Sequence, residues 1–155
     1  MTTYVDSSAL IAIYATERFS ARARRAVREV TSVPFTALHE LEIPNALRVL
    51  HGRGALDARE LRGLLAQIAE DQAAHRLVDA HLDLFAVFAR AISLSAVHAA
   101  RLLCRSLDVL HVATALELGC RRFVSGDDRQ LALASAEGLD VTDVKNDRPR
   151  RRSRR

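Results

Sequence analysis

Arg122-Phe123-Val124-Ser125-Gly126-Asp127 is a short apolar run that closes on a small turn and an acid. Near the chain's start, Thr3-Tyr4-Val5-Asp6 has the same design. Short apolar runs bounded by turn residues read as strands. In an open α/β sheet, ligands bind outside the carboxyl ends of the strands. An acid at that place is badly placed for packing and well placed for a hard cation such as Mg²⁺.

Working outward, strand and helix signals alternate. Residues 2–6 read as a strand, and Ser7 or Ser8 can cap a helix over residues 9–16. A basic helical stretch covers 21–30, and 33–36 is extended. Residues 37–53 form a helix stopped by Gly52 and Gly54, with Pro44 inside, where it removes an internal hydrogen bond and should kink the helix. Asp57 caps an amphipathic helix that runs to about residue 75. A strand at 77–80 precedes one or two helices over 82–105. A helix over 108–118 stops at Gly119. A strand at 122–125, a helix at 129–136 and a strand at 140–144 complete the order. This alternation predicts an α/β fold of three layers, α/β/α, with a central parallel sheet flanked by helices.

The chain has 155 residues and is 49% hydrophobic, enough for one domain with a proper core. No apolar run approaches the ~20 residues of a membrane span, so no membrane partner is expected. The N-terminus has neither a basic segment nor a long apolar stretch, which argues for a cytoplasmic protein. Cys104 and Cys120 form no CxxC pair, and the paired spacing of a zinc site is missing. They read as reduced thiols. The net charge of +4 conceals an asymmetry. Residues 145–155 hold seven basic side chains and one acid, so residues 1–144 carry about −2. We therefore expect a domain over 1–144 and a basic, disordered tail over 145–155. Such a tail is either a phosphate-holding arm or a solubilising end.

Four acids stand out: Asp6, Glu42, Asp108 and Asp127. Asp6 follows a strand and either caps the next helix or faces a site; a phosphate loop is excluded because that turn has no glycine. Glu40 and Glu42 point ~200° apart on a helix of ~3.6 residues per turn, so only one faces a site. Asn45, three residues on, shares the face of Glu42 and favours it. Asp108 opens the apolar stretch Val109-Leu110-His111-Val112-Ala113, either as its cap or as a ligand. His111 shares its face and is a hydrogen-bonded core histidine, a ligand or a base. Of Asp127 and Asp128, one caps the next helix and the other faces the cleft; following directly on Ser125-Gly126 favours Asp127. Ser125 can orient that carboxylate or a bound water, and Arg129 is close enough to reach a phosphate. Clustered carboxylates repel unless cations neutralise them, and Mg²⁺ or Mn²⁺ would do so while preparing a surface for phosphate.

Five blocks carry a family resemblance. They are Tyr4-Val5-Asp6-Ser7-Ser8-Ala9-Leu10, Glu42 with Asn45-Ala46-Leu47, Arg105-Ser106-Leu107-Asp108-Val109-Leu110-His111-Val112-Ala113, Phe123-Val124-Ser125-Gly126-Asp127, and Gly138-Leu139. Together they resemble the PIN-domain nucleases, and most closely the VapC toxins of toxin–antitoxin pairs. The resemblance implies a metal-dependent endoribonuclease in which Asp6, Glu42, Asp108 and Asp127 bind one or two Mg²⁺ or Mn²⁺ ions. It implies hydrolysis of RNA, typically transfer or ribosomal RNA, to a 5′-phosphate and a 3′-hydroxyl. It also implies a homodimer silenced by a VapB-like antitoxin. The Arg-rich tail is outside the shared pattern.

Two rivals are weaker. A phosphoryl-aspartate enzyme or receiver domain needs a late lysine, whereas the one lysine is Lys145, in the tail; Ser8 stands where a second aspartate would be. A catalytically silent module that docks RNA or protein would have no reason to keep four mutually repelling acids.

Overall fold

The computed structural model describes residues 2–15 and 18–146. In chain order the elements are β1 (Thr3–Val5), α1 (Ser7–Tyr14), α2 (Ser20–Val27), β2 (Val33–Phe35), α3 (Ala37–Gly52), α4 (Ala58–Ala73) and β3 (Leu77–Asp79). Then follow α5 (Leu84–Leu102), α6 (Ser106–Glu117), β4 (Arg122–Ser125), α7 (Asp128–Ala136) and β5 (Asp140–Asp143). Every strand pairing is parallel: β4 lies between β1 and β5, and β2 pairs with β3.

Strand period explains the layers. Successive side chains point to opposite faces, and Tyr4 lies opposite Phe123 while Val5 lies opposite Val124. Tyr4 and Phe123 stack at 5.5 Å and enter one core with α5, α6 and α7. Val5 and Val124 enter the other, with α1, α3 and α4. All four are fully buried. A central parallel sheet with helices on both faces follows, as the alternation of elements predicts.

β1 and β2 join through a side chain rather than a ladder. His39, on α3, receives the Thr36 backbone N–H at Nδ1 (3.1 Å), and its Nε2 bonds the Val5 carbonyl (2.9 Å). An accepting Nδ1 leaves the proton on Nε2, so the ring is neutral. Burial, together with the nearby His111, depresses the His39 pKa to about 3.

Several expectations need adjustment. Asp6, not Ser7 or Ser8, caps α1, with the Ala9 N–H on Oδ1 at 2.8 Å. α3 continues through Pro44 as one helix. The carbonyl that loses its partner belongs to exposed Glu40, where solvent can replace it. Residues 84–102 form one helix, α5, one of the two readings given for 82–105; it is long and apolar enough to cross a membrane by length and composition only. α5 buries a stripe of Val87, Ala91, Leu94 and His98 and exposes Phe85, Phe88, Ile92 and Val97. Just past Val144, Asp143 accepts from the backbone N–H groups of Lys145 and Asn146. The rest of the expected tail, 147–155, lies outside the described residues.

The neutral His39 strut has a pH signature. Its pKa is lowered on folding, so its stabilisation is complete above the unfolded value of 6.5 and is lost as pH falls toward 3. His39→Gln keeps a donor and an acceptor but cannot titrate. Below pH 6.5 the wild type should lose ~1.4 kcal/mol per pH unit relative to that variant. Urea melts at pH 7, 5.5 and 4.5 measure this; a constant difference would show that the ring is not held neutral.

Candidate active site

Four elements deliver one acid each to a single cleft at the carboxyl edge of the sheet. Asp6 follows β1 and caps α1; Asp127 follows β4 and caps α7 through the Arg129 and Gln130 N–H groups. Asp108 lies in the first turn of α6 and accepts the Arg105 N–H at 2.8 Å. A carboxylate at a helix N-terminus gains from the positive end of the dipole. Glu42 projects from α3. With Ser7, Ser8, Arg105, Ser106, Leu107, His111 and Gln130, these acids line a cleft of about 540 Å³. Glu40 lines a different, apolar groove with Leu41, Leu84 and Phe88.

Asp6 is the most enclosed of the four, with no exposed surface. Ser125 donates to its Oδ2 at 2.7 Å, and Ser8 bonds both of its oxygens at 2.9 and 3.0 Å. Burial raises its pKa, against the charge of His111 and these hydrogen bonds. Ser125 also accepts the Asp127 N–H at 2.8 Å and so ties two acids together. The turn between them is tight: a Cβ on Gly126 would lie 3.3 Å from the Val144 side chain.

Glu42 has the opposite balance. Burial would push it up, but hydrogen bonds from His111 and Ser7 and the His111 charge outweigh burial and hold the carboxyl below its ordinary range. Ser7 donates to its Oε2 at 2.7 Å, and His111 Nε2 bonds the same oxygen. Arg105 extends between Asp108 (3.5 Å) and Asp127 (3.9 Å) with its side chain largely exposed. Gln130 bonds Asp108 weakly, at 3.5 Å, and its buried Oε1 has no partner.

These groups suit a hard cation in kind: carboxylate oxygens, neutral hydroxyls and an orphaned amide oxygen. Among the described residues no three acid, imidazole or thiol side chains are already gathered as a complete donor set. The acids share a cleft, and Arg105 bridges two of them.

Of the expected supporting residues, Ser125 donates to the Asp6 carboxylate rather than to that of Asp127, whose backbone N–H it accepts. Asn45 is exposed and not among the cleft's lining residues, because sharing a helix face with Glu42 does not bring it to the same depth. Arg129 is exposed too; its backbone N–H donates to the capping Asp127 while the guanidinium bridging the acids belongs to Arg105. Arg105, Ser7, Ser8 and Gln130 were not singled out as site residues. The signal for two of them was spacing. Arg105 stands three residues before Asp108 and Gln130 three after Asp127, the span over which a cap and its first turn exchange bonds.

Comparison with protein families finds a match to the PIN domain over residues 3–136. No curated protein matches the chain.

The enclosed Asp6 yields a sign-definite expectation. A carboxyl whose pKa is raised on folding costs stability once ionised, and that cost fades as pH falls through the folded value. Asp6→Asn, which keeps a good cap, should raise the melting temperature in chelator at pH 7. The gap should narrow toward acid. A lower melting temperature for the variant at pH 7 would mean that the charge is fully compensated.

Proposed function

The chain belongs to the PIN-domain family, typically metal-dependent nucleases, and on that premise we propose that it is an endoribonuclease, the toxin of a toxin–antitoxin pair. The carrying observation is the charge balance of the cleft. Four carboxylates line it against one arginine and one histidine. Such an excess is costly unless cations supply the difference. Asp6, Glu42, Asp108 and Asp127 would hold one or two Mg²⁺ or Mn²⁺ ions. A bound ion of this kind supplies an activated water and offsets charge building on a phosphate.

The chain's own groups divide the remaining work. Ser125 and Ser8 hold the Asp6 carboxylate, and Ser125 also fixes the backbone that carries Asp127. Arg105 is free to turn from the acids to a substrate phosphate once a cation takes its place, since guanidinium suits phosphate. The products are a 5′-phosphate and a 3′-hydroxyl, and the substrate is a structured RNA such as transfer or ribosomal RNA. The compartment in this reading is the cytoplasm.

Two features support the partners of this reading. The exposed apolar side of α5 is a surface for a homodimer. The apolar groove of about 460 Å³ along α3 and α5 offers an antitoxin a place to seat near the acids.

The purified protein should cut RNA only with Mg²⁺ or Mn²⁺. Asp108→Asn should lower cutting at least ~100-fold, or about 2.7 kcal/mol of barrier, with melting nearly unchanged. Undiminished cutting in excess chelator would overturn the metal mechanism. Metal binding without any cutting would favour a silent RNA- or protein-binding module. For the dimer, sedimentation should show Ile92→Arg shifting the protein toward monomer, and an unaffected dimer would move the interface off α5.

A further inference from the structure

We propose that Tyr4 and His111 are a positioning pair that sets the orientation of Glu42 for cation binding, an inference that rests on the nuclease reading above. Tyr4 lies on β1, His111 on α6 and Glu42 on α3, so the three residues span the sheet and both helical layers. Tyr4 and His111 are essentially without exposed surface. The Tyr4 hydroxyl meets His111 Nδ1 at 2.8 Å, and His111 Nε2 meets Glu42 Oε2.

The direction of the bond to Glu42 follows from its partner. Nε2 faces a carboxylate, which can only accept, so it carries the proton. The Tyr4 hydroxyl bonds the other ring nitrogen, Nδ1, so the ring is held at both ends. Removing that hydroxyl leaves Nδ1 without its partner and lets the ring tilt away from the Glu42 carboxylate.

His39 provides an internal contrast. Its ring lies 5.7 Å from that of His111 and is equally buried. His39 uses both nitrogens on backbone groups and serves the scaffold. His111 uses one on Tyr4 and the other on a carboxylate of the cleft. Ser7 donates to that same oxygen, so both donors converge on Oε2 and Oε1 is left for the cleft. Two donors on one oxygen fix the carboxylate's rotation, and outer groups of this kind typically change metal affinity ~10–100-fold when removed.

The test is Mn²⁺ titration by calorimetry on the full chain, alongside thermal melts in chelator. His111→Leu should weaken Mn²⁺ binding at least ~10-fold. His111→Gln, whose amide N–H can reach Glu42, should recover most of the loss. Tyr4→Phe and Ser7→Ala should each weaken binding with melting nearly held, and they carry the test if His111→Leu does not fold. Wild-type affinity in folded His111→Leu, or in both Tyr4→Phe and Ser7→Ala, would overturn the positioning role alone. So would a Gln variant no better than the Leu variant. No Mn²⁺ uptake by the wild type would overturn the nuclease reading and this inference with it.

Discussion

A carboxylate with no exposed surface at the end of a fully buried strand is the constraint around which this protein is arranged. An ionised acid in that place is tolerated only if the surroundings replace its hydration. Asp6 gets that replacement from a backbone N–H of α1 and the hydroxyls of Ser8 and Ser125. Two come from α1 and one from β4, so β1, β4 and α1 must be in register for the charge to be held. Ser125 then passes the constraint on to Asp127 through its backbone N–H. The turn at Gly126 has little room for a side chain, which keeps that linkage short.

The second organising element is a pair of buried histidines between the cores. One replaces a missing ladder bond between β1 and β2; the other reaches from an aromatic of β1 to an acid of α3. Both rings contact Tyr4, at centroid distances of 5.2 and 5.8 Å. The scaffold and the cleft therefore share a residue. A change in how Tyr4 packs on Phe123 would be felt at Glu42, although Phe123 lines no part of the cleft.

Much of this was legible in the sequence because periodicity reports facing. β4 was read with its observed bounds, since a strand buried on both faces is a short apolar run between turn signals. Helix geometry said that only one of Glu40 and Glu42 faces a site and the spacing of Asn45 favoured Glu42; the two do line different cavities. Facing does not report what stands opposite. Asn45 shares the face of Glu42 and still falls outside the cleft, whereas Arg105 reaches it from a cap position with no periodicity. The cap of α1 was left open because Asp6, Ser7 and Ser8 are all good caps and only tertiary contacts choose among them. Residues 82–105 were read as one or two helices, and the structure takes the single one, with Arg90, His98 and Arg101 interrupting its apolar pattern without breaking its backbone.

The outer side of α5 and the acidic cleft give this molecule two surfaces with opposite responses to the solvent. Interactions in the cleft are ionic and are screened as salt rises. Contacts through Phe85, Phe88 and Ile92 are apolar and tighten in sulfate while loosening in the cold. Ionic strength and temperature thus act as separate handles, one on what enters the cleft and the other on what covers the helix.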